Sequence, residues 1–150
     1  MRTSLRNGAF VVALGAWGTV ALGAGTPQGH EHPPESGTHR HPQAAAIKNP
    51  VPAGAASIAA GLALYQGQCA GCHGETAKGD GTLGEELNPK PPDLTDAEWK
   101  HGSTDGEIFT VIRDGVRSTG MKAYGRKMTA HQVWDVVNYL RSIGPKTGSH

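Results

Sequence analysis

Five consecutive residues constrain this chain more than anything else in it: Cys69, Ala70, Gly71, Cys72 and His73. Two thiols separated by two residues, with a histidine directly after, form the attachment signature of c-type haem. The spacing has a physical reason. Three peptide steps hold the two sulfurs about one helical turn apart, so both can add to the two vinyl groups along one haem edge. His73, next in the chain, is then placed under the iron as an axial ligand through a neutral imidazole nitrogen. Other uses of such a pair fit less well. A zinc site needs two more soft ligands, and the chain has no other cysteine. A thioredoxin-like redox motif belongs in a βαβ context, which the flanks do not suggest. A plain disulfide needs no histidine after it. The pentapeptide occurs once, so one covalent haem c with its iron is expected.

Only 5% of the 150 residues are aromatic, too few to build a large core unaided. A buried porphyrin would supply much of the missing apolar surface. The formal net charge of +1 does not mark a nucleic-acid binder.

The first 25 residues read as an export signal. Arg2 and Arg6 make a positive start, and Ala9 to Ala24 is apolar without a charge. Ala21 with Gly23, or Gly23 with Gly25, offers small residues for cleavage. The competing reading is an uncleaved membrane anchor, for which an apolar run of 16 is slightly short. Both readings carry the remainder across the membrane, where c-type haem is attached in bacteria. A periplasmic location is expected, tethered to the membrane only if this segment stays uncleaved. No cysteine ends the apolar run, which argues against a lipid anchor.

Residues 26–53 read as a disordered linker. Six prolines and almost no large apolar side chains leave little to offset the entropy of ordering. His30, His32, His39 and His41 form two His-x-His pairs there. Such a tract can bind a divalent metal, although a solvated spacer is its commoner use.

From Ala55 the pattern turns helical, with Ile58, Leu62 and Tyr65 on one face leading into the haem motif. Gly61, costly in a helix, suggests close approach to another helix, its bland alternative being a mere weak spot. Gly74, Gly79, Asp80 and Gly81 then signal a loop. The run Asn88-Pro89-Lys90-Pro91-Pro92-Asp93-Leu94 is extended, and one of its proline carbonyls can hold the outer nitrogen of His73. Trp99 is either core or a donor to a haem propionate through its indole N–H. Thr104-Asp105-Gly106-Glu107 is a capping box opening a helix with Ile108, Val111 and Ile112 on one face, closed by Gly115. Thr129-Ala130-His131-Gln132 is a second box. Its helix carries Val133, Val136, Val137 and Leu140 and stops at Gly144-Pro145.

Met121 and Met128 compete for the far side of the iron. Met128 directly precedes the Thr129 cap, where an apolar residue commonly staples onto Val133. Met121 lies in a glycine-punctuated loop, where a soft thioether can approach iron and Gly120 permits close backbone approach. Its bland alternative is a gap-filling core methionine. The reading favours Met121. His101 and His131 sit at or near helix starts, where a solvated histidine is commoner.

Residues 54–145 resemble a class I cytochrome c, the single-haem carrier of bacterial type, with 146–150 as a tail. The likeness rests on Cys69 to Gly74, Gly61 and Tyr65, Pro91 to Thr95, Gly120-Met121, and the helix Val133 to Ile143 with Tyr139. It implies an all-α fold around one covalently bound haem in which the first and last helices cross, Gly61 meeting the Tyr139 face. It also implies His73 and Met121 as axial ligands.

With both axial positions filled, iron has no open site for substrate, so the chain reads as an electron carrier rather than an enzyme. Fe(II) and Fe(III) interconvert with little change of geometry, and thioether ligation raises the potential relative to two histidines. Two alternatives remain: a haem enzyme or small-ligand sensor with a displaceable Met121, and a tethered electron-input module of a membrane oxidase or dehydrogenase. From residue 54 onward ten Lys and Arg face eleven Asp and Glu, but unevenly. Arg113, Arg117, Lys122, Arg126 and Lys127 stand against the single acid Asp114, whereas Glu75, Asp80, Glu85 and Glu86 make the loop after the motif acidic. A redox partner with an acidic docking surface on the Met121 side is expected.

Both Cys69 and Cys72 should carry thioether bonds. Mass spectrometry of the exported protein should show one haem added and no free thiol. Apo mass with an intact disulfide, where haem attachment is working, would refute it.

Overall fold

The computed structural model describes residue 41 and residues 43–144, all within the unit Pro34–His150. The export segment, His30, His32 and His39, and the tail 146–150 lie outside the described residues. Among the described residues four α-helices carry the regular structure: α1 (Ala55–Gln68), α2 (Ala70–His73), α3 (Asp105–Asp114) and α4 (Ala130–Ile143). Single 3-10 turns lie at Ala44–Ala46 and Thr82–Gly84, and no strand occurs among the described residues. The all-α expectation holds.

Both capping boxes form. Thr104 Oγ1 accepts from the Glu107 amide at 3.3 Å while Glu107 Oε2 accepts from the Thr104 amide at 3.0 Å. Thr129 and Gln132 exchange the same pair of bonds at 3.2 and 2.8 Å. Each box satisfies two orphan amides at a helix start. Gly115, at φ +70°, closes α3, and Gly144 caps α4 with its amide on the Leu140 carbonyl.

Helices α1 and α4 cross at Gly61. A Cβ there would lie 2.0 Å from the Asp135 carbonyl oxygen and 2.9 Å from Tyr139 Cβ. Glycine is therefore required by backbone contact, and the expected meeting of Gly61 with the Tyr139 face is observed. One turn on, Tyr65 is fully buried and its ring lies 5.2 Å from that of Tyr139, tilted by 50°. Ile58 and Leu62 flank this seam half-buried.

The buried face of α3 differs from the expected one. Phe109 is buried beside Ile108 and Ile112, while Val111 sits on the flank. Phe109 stacks on Trp134 of α4, centroids 4.1 Å apart and planes 19° apart. Such a pair adds about 0.5–1.5 kcal/mol beyond the area it buries, which favours turning the aromatic inward. Val133, Val136, Val137 and Leu140 are buried as expected, but so are Asp135 and Asn138. Helix α4 is covered by α1 on one side, by α3 on another, and by a third layer that the sequence reading called linker.

That third layer is residues 43–53. The disordered-linker expectation for 26–53 fails over this stretch. Ala44 is buried, and a Cβ on Gly106 of α3 would lie 2.0 Å from the Ala44 carbonyl. Asn49 donates to Asn138 Oδ1 at 2.8 Å, and Asn138 Nδ2 donates to the Val51 carbonyl at 3.1 Å and Ser57 Oγ at 2.8 Å. Ser57 Oγ in turn donates to Asp135. The strap is held by small-residue fit and by a satisfied polar network, neither of which hydrophobic patterning reveals.

Gly61→Ala should lower the stability of the haem-loaded protein by about 1–3 kcal/mol, despite the better helix propensity of alanine. Gly67→Ala, where a Cβ meets nothing within 4 Å, should raise it by up to about 1 kcal/mol. Denaturant titration of both variants checks this pair; equal responses would show that the crossing does not depend on Gly61.

Candidate functional site

The site is built around one helical turn. Helix α1 ends at Gln68, Cys69 turns the backbone, and α2 runs from Ala70 to His73. The amides of Cys72 and His73 both donate to the Cys69 carbonyl, at 3.1 and 2.9 Å. This winding puts Cys69, Cys72 and His73 on a single turn. The two thiols are half-buried and form no disulfide. Burial, with Cys72 beside it, pushes the Cys69 thiol up to about 11. A redox-active Cys-x-x-Cys motif has its first thiol lowered instead, so the local environment opposes the thioredoxin-like reading.

Glycine loops wrap the turn closely. A Cβ on Gly81 would come within 2.6 Å of Ala70 and Gly71 carbonyl oxygens, and one on Gly84 within 2.5 Å of the Cys72 carbonyl. Gly79, at φ +77°, tucks under the proline run, where a Cβ would lie 2.3 Å from the Pro91 carbonyl. Its amide also donates to the His73 carbonyl at 2.8 Å. The run continues without helix through Pro92, and the Leu94 amide then donates to the Ala77 carbonyl at 2.7 Å. Asp93 accepts two bonds from Thr95, which hold its carboxyl below its ordinary value and close the turn after the prolines.

His73 Nδ1 is buried with no hydrogen-bond partner among the described residues, and the Pro92 carbonyl lies where it acts on the ring. Burial lowers the histidine's proton affinity and the carbonyl opposes that shift. Burial, the larger effect, favours a neutral ring. Of the proline carbonyls, that of Pro92 acts on the His73 ring, but the expected hydrogen bond to its outer nitrogen is not formed.

Two phenols bracket the motif. Tyr65 Oη donates to the Gly74 carbonyl at 2.8 Å, and Tyr124 Oη to the Gln68 carbonyl at 2.8 Å. Burial raises both phenols above their ordinary range, and the two cysteines reinforce the shift at Tyr124. The phenols therefore stay protonated donors at neutral pH. Tyr124 also brings in the second candidate ligand, because it belongs to the loop of Met121. That loop returns on α3: the Tyr124 amide donates to the Ile112 carbonyl at 3.1 Å, and the Val116 amide to the Met121 carbonyl at 3.1 Å. Gly120 packs on Leu87, with a Cβ there 2.6 Å from a leucine methyl. Met121 is half-buried against the core.

The other candidates have other work. Met128 is buried in the core with Val133, as a staple requires. His131 Nδ1 lies 3.2 Å from the Asp135 carboxylate, part of the polar network at the α1–α4 crossing. His101 lies in the turn before α3. The Trp99 indole donates to the Asp96 carbonyl at 3.0 Å, so the propionate-donor option for it is withdrawn. Neither Tyr124 nor Leu87 stands out from the sequence as a site residue. A large aromatic three residues past Met121 in a glycine loop was the available signal. The donor set fits a haem: two unpaired thiols on one turn, a half-buried histidine whose Nδ1 is buried and unpaired, and a soft thioether.

Comparison with known proteins agrees. Residues 56–140 match the family described as cytochrome c oxidase, cbb3-type, subunit III. A cbb3-type cytochrome c oxidase subunit CcoP from Azospirillum sp. (strain B510) is 32% identical over 102 residues, 60% of this chain and 32% of that protein. The chain thus spans about a third of the length of the curated relatives it matches. Among solved structures, cytochrome cL from Methylophaga aminisulfidivorans superposes with a TM-score of 0.51 at 27% identity, over 60% of this chain and 55% of that one. Cytochrome cL from Hyphomicrobium denitrificans gives 0.52 at 24% identity, over 65% and 53%, a likeness of fold. The helical crossing, the Cys-x-x-Cys-His turn and these matches lead to one assignment. The chain belongs to the cbb3-type subunit III family of cytochromes c, electron-transfer proteins that carry covalent haem c with its iron.

Proposed function

We propose that this chain is a one-electron carrier that delivers electrons to a membrane oxidase from the periplasmic side. Cys69 and Cys72 would hold the haem through thioethers, and His73 and Met121 would ligate its iron. The observation that carries the reading is the single turn that holds Cys69, Cys72 and His73 together, with His73 Nδ1 buried. The haem supplies a single Fe(III)/Fe(II) couple. Everything else falls to the protein. The turn of α2 fixes the attachment points, the glycine loops exclude side chains from it, and the Met121 loop presents a thioether from a segment anchored at both ends. A histidine and methionine pair favours the reduced state relative to two histidines.

The oxidase assignment is supported by the relatives, which are named as subunits of cbb3-type cytochrome c oxidases. Export rests on the charged start and apolar run of residues 1–25. No helix among the described residues is long and apolar enough to cross a membrane. Partner recognition draws on charge. Arg113 is bound to Asp114 through two 2.7 Å contacts, so it leaves the basic set. Arg117, Lys122, Arg126 and Lys127 remain exposed on and beside the Met121 loop. This rim suits a partner with an acidic surface, and such charges act chiefly on encounter rate and orientation.

Met121→Ala should lower the potential and open the reduced protein to carbon monoxide, whereas Met128→Leu should cost stability and leave the ligand set alone. Absorption spectra of both variants decide it, and loss of low-spin character in Met128→Leu would reverse the assignment.

Electron-transfer rates to the physiological partner should fall as salt rises, because the screening length shrinks from about 30 Å at 0.01 M to about 10 Å at 0.1 M. Reversing Arg117 and Lys122 to glutamate should slow association and flatten that dependence. Stopped-flow rates indifferent to salt and to both charges would leave the rim without a role in recognition.

A further inference from the structure

The loop of Met121 is held from two directions. On one side its backbone is bonded to the end of α3: the Tyr124 amide to the Ile112 carbonyl, and the Gly125 amide to the Arg113 carbonyl at 2.9 Å. On the other side the Tyr124 phenol reaches back across 56 residues of sequence to the Gln68 carbonyl at 2.8 Å. Gln68 is the last residue of α1 and the immediate neighbour of Cys69. One hydroxyl thus joins the segment bearing the candidate sixth ligand to the segment that opens the haem attachment turn.

The geometry makes this bond different from an ordinary loop anchor. The amides of Lys127 and Met128 both donate to the Tyr124 carbonyl, at 2.8 and 2.9 Å, and Lys127 Nζ lies 5.7 Å from the centre of the Tyr124 ring. The backbone of Tyr124 is therefore held by the turn that leads into α4, independently of its hydroxyl. What the hydroxyl adds is the span to Gln68. Without it, the stretch 116–124 keeps its attachment to α3 but loses its tie to the attachment turn.

We propose that Tyr124 is a positioning residue that sets how readily Met121 leaves the iron. The proposal rests on the reading of Met121 as axial ligand. For Met121 to leave, its loop must move away from the turn of Cys69 to His73, and the Tyr124–Gln68 bond opposes that movement. A competing ligand gains access in proportion to the fraction of molecules with the loop displaced. Removing one neutral hydrogen bond should raise that fraction about three- to tenfold. The exchange itself leaves the oxidation state unchanged: the Met121 thioether leaves the ferric iron and an imidazole nitrogen takes its place.

The test is imidazole binding to the oxidised, haem-loaded protein, followed through the long-wavelength absorption band of thioether-bound ferric haem. Tyr124→Phe keeps the ring and removes only the donor. Its band should be intact without imidazole, and imidazole should bind about three- to tenfold more tightly than to the parent protein. Thr104→Ala, which removes the remote α3 cap, supplies a variant of reduced stability in which the imidazole affinity should stay at the parent value. Met121→Ala should lack the band altogether. If Tyr124→Phe melts lower but binds imidazole as the parent does, or if Thr104→Ala shows the same gain in affinity, the phenol serves stability alone and the proposal falls. If the band survives in Met121→Ala, the ligand reading falls and this proposal falls with it.

Discussion

The site depends on a backbone contact between two helices. With hydrogen alone at Gly61, α1 lies directly on the Asp135–Tyr139 turn of α4. That contact sets where Tyr65 enters the core, four residues on, and Tyr65 then grips the Gly74 carbonyl on the far side of the pentapeptide. The position of Cys69 to His73 is thus transmitted from a helix crossing through a single buried phenol. A longer side chain at Gly61 would not merely loosen a core. It would move the end of α1, and with it the turn that carries both thiols.

The turn itself is too short to be stable alone, since four residues form barely one helical turn. Its conformation is imposed from outside. Gly81 and Gly84 press on its carbonyls, the Gly79 amide bonds the His73 carbonyl, and the two phenols fix the residues on either side. These restraints come from segments with almost no regular structure. Their order derives from glycine contacts and from prolines that limit the backbone, which is why a region of loops can hold a precise constellation.

Most of the frame was legible in the sequence because it uses short-range chemistry. A capping box needs only four residues, and both boxes form between the residues that suggest them. The pentapeptide is equally local. The crossing at Gly61 was readable because a glycine interrupts an otherwise apolar stripe, and a close neighbour is the physical reason to keep it there. What escaped was long-range or polar. Residues 43–53 look like linker by composition, and they are ordered by Ala44 filling the notch at Gly106 and by Asn49 meeting Asn138, 89 residues away. Phe109 escaped for a related reason. Helical periodicity marks a face but cannot say that an aromatic beside it will find Trp134 to stack on. The role of Tyr124 depends on a carbonyl, which every residue possesses and no sequence pattern marks.

The polar network beneath the strap bears on function as well as on order. Asp135 and Asn138 are buried between the helices of the crossing, where unpaired polar groups would be costly. Ser57, Asn49, His131 and the strap carbonyls supply their partners, so the network is satisfied only when α1, α4 and residues 49–52 are all in register. Apolar residues in those places would tolerate sliding of α1 along α4. Directional bonds do not. An electron carrier gains from this distinction, because a fixed ligand geometry keeps the reorganisation between oxidation states small. Rigidity in the crossing is carried through Tyr65 to the attachment turn, and through Tyr124 from that turn to the loop of Met121. The fold thereby restrains both candidate axial ligands from one buried seam while leaving its basic rim exposed to solvent.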